Sequence, residues 1–153
     1  MKKLPMISWI ALLLWVISAV AIGLLYFKGG AKPGEDGRIT LSINKDEKRF
    51  VLAEMRDMLE TVQSIVLALD ENNMDDVAEA VKGRGVADMM RNTPKILIAK
   101  VPLEFMALGR GMHKGFDDIG KAASEGANRE KIISLLGEQL GKCVACHSTY
   151  QVP

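Results

Sequence analysis

A chain of 153 residues with 20 basic and 19 acidic side chains is nearly neutral, so no strongly basic or acidic partner such as nucleic acid is implied. Hydrophobic residues make up 48%, enough for the core of one globular domain. Aromatic residues make up only 5% while Met occurs 9 times, a balance that favours helices over sheets.

Residues 6–27, MISWIALLLWVISAVAIGLLYF, run without a charge. A helix of that length, at about 1.5 Å per residue, matches a hydrocarbon core of roughly 30 Å. Lys2 and Lys3 precede it, Lys28 and Lys32 follow, and Trp9 and Tyr26 lie near its ends, where amphipathic rings prefer to sit. A cleaved signal peptide is the alternative, because Ala19-Val20-Ala21 resembles a cleavage site. Cleavage there would leave 22–27 as an exposed apolar stub, so residues 1–27 are expected to stay as a transmembrane anchor. In both cases the remainder is exported. The first 27 residues hold two of the 20 basic side chains and none of the 19 acidic ones, so the exported part carries a formal −1. Gly29, Gly30, Pro33, Gly34 and Gly37 give residues 28–39 the composition of a flexible linker.

Beyond the linker, Asn44 with Glu47 three residues on is a helix-start signature. Apolar residues then recur at Val51, Leu52, Met55, Met58, Leu59, Val62, Ile65, Val66 and Leu69, a 3.6-residue stripe that predicts a first helix over 44–71. The stretch DENNMDD reads as a turn. Asn73 or Asp75 then caps a second helix through Val77, Ala80 and Val81, weakened by Gly83 and Gly85. Thr93-Pro94 or Pro102 opens a third, which carries Leu103, Met106, Ala107, Met112, Phe116 and Ile119 to a stop at Gly126. Asn128 caps a fourth, with Ile132, Ile133, Leu135, Leu136, Leu140 and Cys143 inside. No stretch alternates with period two, so strands are not expected. Four amphipathic helices on short connections bury their stripes best against one another. The expected fold is therefore all-α: an antiparallel four-helix bundle over 40–153 behind an N-terminal transmembrane helix.

Both cysteines of the chain lie in its last eleven residues, CVACHSTYQVP. On a helix, Cys143, Cys146 and His147 project from nearly one face, which Leu136 and Leu140 extend towards the bundle interior. Two thiols at this spacing can add to the two vinyl groups of one haem, and the neighbouring imidazole is then poised to ligate its iron. This is the c-type haem attachment signature. Export agrees with it, since c-type haem is attached on the outer side of the membrane. Three other chemistries compete. A structural disulfide leaves His147 unexplained. A zinc site needs both His113 and His147 beside the two thiols. A thioredoxin-like pair opens a helix after a strand, whereas this motif ends a helix. One covalent haem c is the expected cofactor.

A helical bundle with Cys143, Cys146, His147 and, three residues on, Tyr150 at its extreme C-terminus resembles the class II c-type cytochromes, the cytochrome c′-like family. In most small c-type cytochromes the motif sits near the N-terminus instead. The likeness covers residues 40–153 as an architecture and is specific only at those four residues. Family members commonly carry Arg or Lys after the tyrosine, bordering the open haem face in those that bind gases. Gln151 stands there in this chain, which counts against nitric oxide binding.

The resemblance makes the sixth iron ligand decisive. Members with an empty position bind small gases; those with a methionine from the first helix carry electrons, the soft thioether favouring ferrous iron. Met55 has apolar residues at plus three, seven, ten and fourteen, whereas Met58 meets Thr61 at plus three, so Met55 lies nearer the centre of the stripe. Both are equally readable as core. His113, between Met112 and Phe116, is the alternative of a bis-histidine haem. Arg49, Arg56 and Lys142 are candidates to pair with propionates, although solvated surface charge explains them as well. The expected protein is a monohaem cytochrome, not an enzyme, that passes single electrons. It would be a single-pass protein of a bacterial inner membrane with its haem domain in the periplasm. Redox proteins are its expected partners, with a homodimer as one option. A five-coordinate gas-binding protein and a haem-bearing subunit of a larger respiratory complex are the alternatives.

Overall fold

The computed structural model describes residues 6–28 and 30–153. Lys2, Lys3 and Gly29 lie outside the described residues, as do the side chains of Met6 and residues 25–28, Tyr26 among them. Among the described residues the chain forms seven helices and three short strands.

Helix α1 (Met6–Lys28) is apolar on every face and long enough to cross a bilayer. Its window from Ile7 to Leu24 has no buried side chain. Residues 28–39, expected as a flexible linker, instead contain a hairpin. Strand β1 (Ala31–Pro33) pairs antiparallel with β2 (Ile39–Leu41). The hairpin was hidden because its other partner is far away in sequence: β2 runs parallel to β3 (Tyr150–Gln151), Ile39 beside Tyr150 and Thr40 beside Gln151. Arg38 fastens the joint. It donates to Asp36 Oδ2 at 2.7 Å, to Gln151 Oε1 at 3.0 Å and to the His147 carbonyl at 3.2 Å.

Helix α2 (Lys45–Asp70) starts as its sequence dictates. Asn44 Oδ1 accepts from the N–H groups of Asp46 and Glu47, both at 2.9 Å, and Glu47 Oε2 accepts from the Asn44 N–H at 2.7 Å. Its stripe is only half right. Val51, Ile65 and Leu69 are buried, but Leu59 and Val66 are 69% and 50% exposed. In place of one second helix come α3 (Met74–Ala80), capped by Asn73, and α4 (Val86–Asn92), which local sequence did not announce. Gly83, with φ of 76°, turns the chain between them. The cap of α4 comes from a different helix: Asp117 Oδ2 accepts from the Val86 N–H at 3.0 Å. Gly85 makes room for it, since a Cβ there would lie 2.0 Å from Asp117 Oδ1.

Both proline signals prove real. Helix α5 (Lys95–Lys100) follows Pro94, and α6 (Leu103–Ser124) follows Pro102. Helix α7 (Arg129–Thr149) is capped by Asn128, whose Oδ1 accepts from the Lys131 N–H at 2.9 Å, and it carries the motif in its last turns. Helix α6 packs on α3, α4 and α7, while α2 meets the rest chiefly through α3. Two apolar clusters result. One joins Ile65, Val77, Phe116, Ile119 and Ile132; the other joins Leu41, Val51, Leu97, Cys146 and Tyr150.

Candidate functional site

Between the two clusters lies a cavity of about 460 Å³, in the range of roughly 300–1,000 Å³ usual for ligand and cofactor sites. Helices α2, α6 and α7 supply most of its wall, which is overwhelmingly apolar. Cys143, Cys146, His147, Met55, Met58 and His113 all line it. The six residues that the sequence singled out thus meet at one place, although they come from three helices and span 92 positions between Met55 and His147.

Their environments differ. Cys146 is buried and Cys143 half-buried; both are free thiols. Burial pushes both thiols above their ordinary value, with the neighbouring Cys143 adding to the effect on Cys146. A thiol kept protonated is a poor attacking group in disulfide exchange, so the redox-pair chemistry, which needs a lowered value, finds no support here. Cys143 Sγ lies 3.5 Å from Met112 Sδ. Among the described residues no group of three or more Cys, His, Asp or Glu side chains is arranged to hold a metal ion.

His147 is exposed at the cavity margin. Together with Met55, Leu52, Phe105 and Cys146 it also borders a smaller cavity of about 280 Å³ that Arg38, Tyr150 and Gln151 help to line. Tyr150 is buried there, packed edge-on against Phe105 with ring centroids 5.3 Å apart. Met55 and Met58 are both half-buried. His113 is only 5% exposed, and its Nδ1 lies 2.7 Å from the Arg84 carbonyl. A carbonyl can only accept, so Nδ1 is the donor in this bond. Arg84 is itself held by Asp57 at 2.9 Å.

With this geometry in view, the chain matches no family model, no curated protein and no solved structure. The site therefore has to be read from its own residues.

Among the expected charged neighbours, Arg56 lines the cavity. Lys142 donates to the Gly111 carbonyl at 3.1 Å, and Arg49 pairs with Asp46 on the exposed first turn of α2. Leu136 points inward as expected, but Leu140 is 42% exposed at the cavity edge. Arg38 went unnoticed in the sequence. The position after Tyr150 lacks a cation of its own, yet the hairpin brings a guanidinium to the Gln151 side chain. No local signal in a Gly-rich stretch could have shown this, because the partners lie more than a hundred residues away.

Proposed function

We propose that this chain is a membrane-tethered monohaem c-type cytochrome that passes single electrons. One observation carries the reading: both thiols and His147 line an apolar cavity of cofactor size, and every other soft or imidazole donor expected from the sequence lines it too. Cys143 and Cys146 would each add S–H across a vinyl group of one haem, which needs no oxidant, and His147 would ligate its iron. The cofactor supplies a one-electron ferric–ferrous couple. An apolar wall would favour the ferrous form of a bound haem, and Met55, as its sixth ligand, would act in the same direction. An antiparallel four-helix bundle, with α3 and α4 together taking the place of one helix, is the arrangement proposed around it. The resemblance to the class II cytochromes implies a periplasmic haem domain and protein redox partners.

A second reading of the sixth position has its own support. The proton on His113 Nδ1 is committed to the Arg84 carbonyl, the arrangement that orients a ligating imidazole. Visible spectra of ferric and ferrous protein, with and without carbon monoxide, separate the readings. Low-spin ferric protein with a far-red sulfur-to-iron band points to Met55; low-spin protein without that band points to His113. A high-spin wild type that takes up carbon monoxide at once would refute the electron-carrier reading and leave a gas-binding protein.

A further inference from the structure

Helix α5 reads KILIAK, and only Leu97 of its three large aliphatic side chains is buried. Ile96 is 60% exposed and Ile98 38%, and Leu103, just beyond Pro102, is 36% exposed. Single exposed apolar residues occur all over this surface and mean little. These three differ by where they stand. The N–H of Gly30 donates to the carbonyl of Lys100, the last residue of α5. Gly30 is two residues past the end of α1 at Lys28, and two steps of the chain span at most about 8 Å. A hydrogen bond adds about 3 Å more, so α5 ends within roughly 11 Å of the end of the apolar helix. Helix α1, with 23 residues, is about 35 Å long and spans a core of roughly 30 Å with its end among the headgroups. The headgroup layer is itself some 5–8 Å deep on each side.

We infer that α5 is a second membrane contact, resting on the outer lipid surface with Ile96, Ile98 and Leu103 in the headgroup–acyl boundary. Ile96 and Ile98 flank the buried Leu97 on its two sides, and apolar side chains enter that boundary by about 5–10 Å, within the reach that the Gly30–Lys100 joint allows. Lys95, exposed at the start of the helix, is placed to reach back to the headgroups, while Lys100 at the other end is held by Glu47. The contact fixes the domain at one angle to the bilayer instead of leaving it to swing on its tether. It rests on the proposed transmembrane role of α1, and the test keeps the two apart.

Full-length protein is placed, one copy per disc, in phosphatidylcholine nanodiscs with or without lipid brominated near the headgroup end of its acyl chains. Wild type has no indoles except Trp9 and Trp15, both in α1. Quenching of these by brominated lipid reports the anchor alone. In a Trp9→Phe/Trp15→Phe background, the indole introduced by Ile96→Trp should lose emission in the brominated discs, and one introduced by Ile98→Trp should do the same if the first variant folds poorly. Leu67→Trp is the control. Leu67 is 57% exposed and lies 20 residues along α2 from Glu47, which accepts from Lys100, and is therefore roughly 30 Å from α5. Its indole should keep its emission. Equal emission of both α5 indoles in the two kinds of disc, with Trp9 and Trp15 quenched in wild type, overturns the proposal while sparing the anchor. Unquenched Trp9 and Trp15 remove the anchor and the proposal with it.

Discussion

Met55, Met58 and His113 share a cavity wall, and their single substitutions should give different signatures. Met55→Ala should turn a low-spin haem high-spin, open it to carbon monoxide and lower its potential, because a soft ligand favouring ferrous iron is lost. Met58→Ala should leave the spectrum alone and cost at most about 2 kcal/mol, the low end for truncating a buried Met, since Met58 is only half-buried. If His113→Ala converts the spectrum and Met55→Ala does not, the haem is bis-histidine. Glu47 gives a test in pH. Its carboxylate accepts from Lys100 Nζ at 2.7 Å and from the Asn44 N–H, and these bonds hold it below the ordinary glutamate range. A carboxyl with a depressed folded value contributes stability above its unfolded value and loses it as pH falls through the folded one. Glu47→Gln should therefore flatten the acid limb of a thermal-melt series below the ordinary glutamate range; an unchanged limb would show that the pair contributes nothing. That Cys143, Cys146 and His147 would share one face of a helix was legible because the spacing is local, and all three do line one cavity from α7. The choice among Met55, Met58 and His113 was not, because all three line the same cavity and only spectra separate them.

At the scale of elements, helix starts written in local chemistry were legible: Asn44 with Glu47, Asn73, Pro94, Pro102 and Asn128 all stand where their helices begin. What failed were elements whose partners are distant. Helix α4 is capped by Asp117 and the hairpin is completed by β3, so neither leaves a signal within its own window. Gly115 and Arg38 probe two contacts between distant parts of the chain, α6 with α7 and the hairpin with β3. Gly115 in α6 faces Gln139 of α7, and a Cβ there would lie 1.8 Å from Gln139 Oε1, a buried oxygen without a partner among the described residues. Gly115→Ala should destabilise by about 1–3 kcal/mol in a denaturant titration. Adding Gln139→Ala should recover part of the loss, a coupling expected only for groups in contact. Arg38→Ala should cost about 1 kcal/mol, since the side chain is partly exposed and its bonds to Asp36, Gln151 and the His147 carbonyl are screened. Its clearer readout is amide exchange over residues 148–152, which should accelerate when the hairpin lets go; unchanged exchange would mean that Arg38 is not the fastener.

At the scale of the molecule, α1 leads into the hairpin, the hairpin pairs with the C-terminal strand, and the motif lies just before that strand. The motif therefore sits at the end of the domain that the hairpin joins to the apolar helix, as the proposed exchange with redox partners at a bilayer would require. The full chain should pellet with membranes and need detergent for release, whereas a chain lacking residues 1–27 should be soluble. Full-length material recovered in a soluble fraction would end the tether account. The mostly helical class was legible from composition and period, whereas the hairpin that orders the tether was not, because Gly and Pro read as linker until their partner strand is known.

The electron-carrier reading depends on covalent haem, and denaturing electrophoresis measures it directly. Wild type and Cys143→Ala/Cys146→Ala are produced alongside c-type haem attachment machinery, separated on a denaturing gel, stained for haem peroxidase activity and weighed intact by mass spectrometry. Haem stain that stays with the wild-type chain, a mass raised by one haem, and the loss of both in the double variant are the results expected. A wild-type chain at its bare polypeptide mass and without stain would contradict the account.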